Sequence, residues 1–163
     1  FEKTLQRSLQ EIDLSLFTSY LTLDAGINEG KNEVQFLFVY DKESRHLQHC
    51  QPSDLQEELN GVAFQSPYGE FSFAGVPSEG MVSREDLFMD LLSVVSDSAD
   101  VKRMIVVSFN EEYGKKVTDV LQGLKGKEVM QFRMNEPEIP VNYKWDMLAF
   151  PVMHSLGIRA EEL

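Results

Sequence analysis

The hexapeptide spanning residues 104–109 (MIVVSF) is nearly unbroken in apolar character, and it constrains the fold more than any other stretch of the chain. A half-exposed strand alternates apolar with polar residues, so a continuous run predicts a strand covered on both faces and central in its sheet. Residues 112–125 (EYGKKVTDVLQGLK) follow, with Tyr113, Val117, Val120, Leu121 and Leu124 on one helical stripe and Gly126 placed as the stop. Residues 128–134 then alternate, Met130, Phe132 and Met134 against Gln131 and Arg133. The order strand, helix, strand predicts a parallel pair joined by a right-handed crossover. The fold class is therefore α/β, with α+β as the alternative, built on a mixed sheet.

Upstream, Leu5, Leu9, Ile12, Leu16, Tyr20 and Leu23 recur at intervals of three and four, a helical stripe. Residues 14–23 (LSLFTSYLTL) also carry Thr, Tyr and Phe, which suit a strand. The reading adopted is a helix to about Ile12 followed by a strand. A turn-rich stretch (DAGINEGKN) leads to a second strand at 33–41 (EVQFLFVYD), and a turn at 42–45 leads to a short third strand near 46–50, together an antiparallel meander. Pro52 and Ser53 open a short helix, with Ser53 as N-cap and Gly61 as stop, and residues 68–74 (YGEFSFA) alternate like a further strand. Ser83, with Asp86 three residues on, opens a helix whose apolar face is Leu87, Phe88, Leu91, Leu92, Val94 and Val95. Pro137 and Pro140 mark an extended loop, and residues 145–156 are expected to form a last helix that Pro151 starts or kinks and Gly157 ends. No composition shift marks a boundary, so residues 1–163 are read as one globular domain. Phe1, in place of Met, suggests a piece of a longer protein or a chain whose leader was removed.

From the meander onward, the element order resembles the ribonuclease H-like arrangement shared by actin-like ATPase domains. Residues 23–26 (LDAG) look like the Asp-x-Gly phosphate turn of the actin-like group, matched at Asp24 and Gly26. The resemblance implies nucleotide binding at Asp24 and Gly26. Asn110, Glu111 and Glu112 stand where that family carries a glycine-rich nucleotide turn.

Charge narrows the partners. The chain has 27 acidic and 15 basic residues, a formal net charge of -12. A field of that sign repels polyanions, so neither nucleic acid nor an anionic membrane surface is expected as a partner. No apolar run approaches the roughly 20 residues that span a bilayer. With one cysteine, Cys50, and no leader-like pattern, a soluble, cytoplasmic chain is expected. The acidic surface suits steering toward a cationic protein.

Each catalytic constellation lacks a part. Asp24, Asp41 and Glu111 fall at expected strand ends, where converging carboxylates hold the cations of ribonuclease-type chemistry, but the charge opposes such a substrate. His46, His49 and Cys50 are zinc-type groups without a fourth ligand, because His154 stands alone in an apolar stretch and His49 would face away from the other two in a strand. Cys50 has no readable base or oxyanion hole. Gly114, Lys115 and Lys116 open a helix after a strand, yet Phe109 occupies the place of the first P-loop glycine and Lys116 that of the Ser or Thr. No cofactor or metal is therefore expected. The leading expectation is a non-enzymatic interaction or assembly module that uses the 128–134 strand as a sheet edge, with Trp145, Met130 and Phe132 as contact residues and a homodimer as one form of it. The alternatives are an actin-like nucleotide-binding domain or a degenerate descendant, and an acidic inhibitor or immunity-type protein that masks a basic enzyme.

Overall fold

The computed structural model describes residues 1–6, 8–80, 82–108 and 110–162. The chain is of mixed α/β class. In order it forms α1 (Glu2–Leu5), β1 (Ile12–Asp13), α2 (Leu14–Asp24), β2 (Asn32–Tyr40), β3 (Cys50–Gln51), a π-helical turn (Leu55–Leu59), β4 (Ala63–Ser66) and β5 (Gly69–Pro77). These are followed by α3 (Arg84–Asp97), β6 (Arg103–Val107), α4 (Asn110–Gln122), β7 (Glu128–Arg133), β8 (Lys144–Met147) and α5 (Ala149–Leu156). The contacts gather into two compact units, one of residues 1–77 with 149–163, the other of residues 78–148.

In the first unit, the strand expected at 14–23 is instead helix α2. Asp13 caps it, its Oδ1 accepting from the N–H of Ser15 at 3.0 Å and of Leu16 at 3.3 Å. The β-prone threonines are satisfied inside the helix: the Thr18 hydroxyl donates to the Leu14 carbonyl and that of Thr22 to the Thr18 carbonyl, each at 2.8 Å. Both are fully buried, and α2 also packs on α5, where the Tyr20 ring lies 5.3 Å from that of His154. Burial of this face outweighs a weak strand propensity.

With residues 14–23 helical, the strand expected just before β2 is not there to pair with it, and the antiparallel meander is not formed. Instead β2 runs parallel to β5, in register from Asn32 opposite Gly69 to Tyr40 opposite Pro77. β5 also forms an antiparallel hairpin with β4, giving the order β2-β5-β4. The pairing is driven from one face. Phe36 lies 5.0 Å from Phe73 and 5.1 Å from Phe71 between ring centroids, and Phe64 lies 5.6 and 5.5 Å from the same two rings. Such aromatic pairs add to the area they bury. The expected third strand shrinks to β3, which pairs in parallel with β1. The short helix is the π-helical turn, capped by Asp54 and not Ser53: Asp54 Oδ1 accepts from the N–H groups of Gln56 and Glu57, and Glu58 reaches back to the Asp54 N–H. Arg45 grips the same carboxylate with Nε at 2.9 Å and Nη2 at 2.8 Å.

In the second unit, α3 is capped by Ser83 as the sequence predicts, the Asp86 N–H donating to its hydroxyl at 3.1 Å. The strand, helix, strand unit is present, and its strands are parallel. Their places in the sheet are reversed from expectation. The order is β6-β7-β8, so β7 is central and β6 lies at an edge. The cause is β8: residues 144–147 pair in parallel with the far side of β7, although a helix is expected from Trp145 onward. The apolar run of β6 is accordingly covered on one face, with Met104 and Val106 buried and Val107 41% exposed. The last helix starts later, at Ala149, and places Pro151 in its first turn, where no N–H is required of it.

Two predictions follow from the first unit. A Cβ on Gly75 would sit 2.6 Å from the Leu55 carbonyl oxygen, so Gly75→Ala should destabilise by about 1–3 kcal/mol in urea unfolding. The Arg45 guanidinium and the cap bonds hold the Asp54 carboxyl well below the ordinary carboxylate range. Below that range the unfolded chain binds the extra proton, so this contribution is complete above about pH 4 and is lost as the pH falls toward the folded value. Asp54→Asn should flatten the acid limb of a stability–pH curve and leave the slope above neutrality unchanged.

Candidate docking edge

β2 is nine residues long and pairs along its whole length with β5, on one side only; no other strand among the described residues lies against it. In a parallel pair a strand's backbone groups point alternately toward and away from its neighbour. The outward N–H and C=O groups of β2 are therefore a ready template for another extended chain. No Lys, Arg or Pro occurs within NEVQFLFVY, the residues with which natural edges are usually guarded.

Period-two alternation splits the strand into two faces. Phe36, Phe38 and Tyr40 face the phenylalanine cluster. Glu33, Gln35 and Leu37 occupy the other face and are exposed, Leu37 by 39%. On that face Glu33 stands directly opposite Glu70 of β5, which in turn stands opposite Gln65 of β4. Like charges in register repel. No Lys, Arg or His among the described residues forms an ion pair with either glutamate.

The residues singled out in the sequence fall elsewhere. Asp24 ends helix α2, not a strand, and its Oδ2 lies 3.3 Å from His154 Nδ1 on α5. Gly26 follows in the turn that closes the helix, its N–H donating to the Leu23 carbonyl. A phosphate at this end would meet the negative pole of α2, so the expected phosphate turn lacks the setting it needs. Asp41 follows β2 and accepts from the N–H and the hydroxyl of Ser44, both at 2.8 Å. The side chain of Glu111 and the whole of Phe109 lie outside the described residues. Among the described residues no three His, Cys, Asp or Glu side chains gather into a metal-binding group.

His46 is a bridge partner of Asp54 in a loop, not part of a strand. Cys50 packs against the core of the first unit, where burial and then the Glu11 charge push its thiol upward, away from the reactive thiolate. Lys116 is held by Glu85 at 2.6 Å. Of the expected contact residues, Phe132 is wholly buried, while Met130 and Trp145 are partly buried. Trp145 is in register with Gln131, so it lies on the opposite sheet face from Met130 and Phe132, and the three do not form one surface. The sequence reading missed β2 as the edge; the signal available to it was the absence of guarding residues in EVQFLFVY.

Among the described residues no helix is long and apolar enough to cross a membrane. A family model described as a family of unknown function (DUF6621) matches residues 1–163. No curated protein and no solved structure matches the chain.

Removing one of the two opposed carboxylates relieves their repulsion. Glu33→Gln should raise stability by about 0.2–1 kcal/mol at low ionic strength, with the gain shrinking in high salt, as read by thermal unfolding.

Proposed function

We propose, starting from the fact that this chain belongs to the DUF6621 family of unknown function, that it is a non-enzymatic protein–protein interaction module receiving an extended, cationic segment of a partner along β2. The observation that carries this reading is the nine-residue unguarded edge lying beside the opposed Glu33 and Glu70. Main-chain pairing would supply affinity without reading side chains, and alternate side chains would supply specificity. A Lys or Arg laid over Glu33 and Glu70 turns a repulsive pair into an attractive triad. Leu37, exposed two pairs further along, offers an apolar contact on the same face.

Charge complementarity selects the occupant. Two copies of the chain would bring together two bodies of net charge -12, whereas a basic segment is drawn in by the same field. An acidic inhibitor or immunity-type role is the same docking with a basic enzyme as the partner. A nucleotide-binding role on the actin-like pattern would need Asp24 at a strand end, and Asp24 closes a helix beside His154.

The test uses an alternating Lys-Val peptide, chosen for strand propensity and charge, titrated into the isotope-labelled protein. Saturable binding should shift the β2 amides first, weaken as salt is raised, and fall at least about tenfold in Leu37→Lys or Glu33→Lys. Shifts confined to other elements, or unchanged affinity in both variants, would refute the reading. Self-association abolished by Leu37→Lys would assign the edge to a second copy instead.

A further inference from the structure

The second unit carries a cation that the first reading does not use. Arg133 ends β7, the central strand of three parallel ones, at their carboxyl ends. That end of a parallel sheet is where such sheets place their ligands. Despite 27 acidic residues in the chain, Arg133 makes no ion pair with a carboxylate among the described residues. Its contacts are neutral: Nη1 donates to Gln131 Oε1 at 3.2 Å and Nε to the Asn135 carbonyl at 3.1 Å. Two of its five N–H donors are so engaged, and three remain.

Gln131 explains how the guanidinium is held. It is wholly buried in the middle of β7, a position where an apolar residue would avoid the cost of desolvating an amide. Every polar atom of that amide is used. Oε1 accepts from the Tyr143 hydroxyl at 2.7 Å as well as from Arg133, and Nε2 lies 3.4 Å from the buried Ser108 hydroxyl at the end of β6. The register puts Gln131 beside Trp145 and Arg133 beside Met147, so apolar side chains flank the guanidinium on the β8 side. A buried polar network thus fixes one fork-shaped cation at the ligand end of the sheet.

We propose that Arg133 anchors a singly charged carboxylate carried on an apolar group, with Gln131 and Tyr143 as positioning residues. A planar carboxylate matches the guanidinium fork with two parallel hydrogen bonds. One positive charge balances one negative charge, and the surrounding net charge of -12 penalises a phosphate dianion further.

The experiment titrates sodium propionate, and separately inorganic phosphate, into the isotope-labelled full chain at constant ionic strength, following the Arg133 Nε–H and Gln131 side-chain amide signals. Propionate should saturate both signals and bind more tightly than phosphate. Arg133→Gln should abolish the response, and Arg133→Lys, which keeps the charge and loses the fork, should weaken it at least about tenfold. Tyr143→Phe should weaken propionate severalfold while leaving the thermal unfolding profile cooperative, which separates positioning from folding. A response that is unsaturable, that persists in Arg133→Gln, or that favours phosphate would overturn the proposal. None of these outcomes bears on the β2 edge, because Leu37→Lys leaves Arg133 untouched.

Discussion

The packing of phenylalanine rings across β2, β4 and β5 is the contact on which the first unit depends. Phe36, Phe64, Phe71 and Phe73 interleave on one face of the sheet, and Leu14, Leu55 and Leu59 close over the same core. That face draws β2 to β5 in parallel, although the two strands are separated by a long stretch of chain. Parallel pairing needs such a crossover, and here it is made by the loop, the π-helical turn and β4. Once β5 is flanked by β2 on one side and β4 on the other, the outer side of β2 has no remaining strand to cover it. The open edge is therefore a by-product of how the aromatic core is satisfied.

Elements whose evidence is local were legible from the residues. Ser83 with Asp86 marks the start of α3, and the helical stripe through Val117 and Leu121 marks α4. Strands β2, β5, β6 and β7 all lie where alternation or apolar runs place them. What failed was whatever tertiary contact decides. Residues 14–23 satisfy a strand and a helix template alike, and burial of Leu14, Thr18, Leu21 and Thr22 on one side of the element selects the helix. Sheet order failed for the same reason, since the four residues of β8 are too few to outvote a helical stripe, yet they move β7 to the centre. The open edge was legible only in part: composition identifies β2 as a strand, but that it lacks a second strand neighbour is a property of the whole unit.

The two charged features obey opposite logic. Glu33 and Glu70 are exposed and repel one another through solvent, so their interaction weakens in salt. Arg133 is partly buried and oriented by a fully buried amide, so its geometry is set before any ligand arrives. An acidic exterior discourages other anions from the vicinity, which leaves such a cation selective rather than sticky.

The order of elements has a bearing on how the chain acquires its structure. Helix α5, which packs on α2, lies beyond the whole of residues 78–148. The segment 78–148 is contiguous and has its own apolar centre around Val117 and Leu121, whereas the body that begins at residue 1 lacks a wall until residues 149–156 emerge. On a ribosome, the contiguous unit can mature as soon as residue 148 has emerged, whereas the amino-terminal one, although begun first, must wait without its α5 contact until residues 149–156 follow.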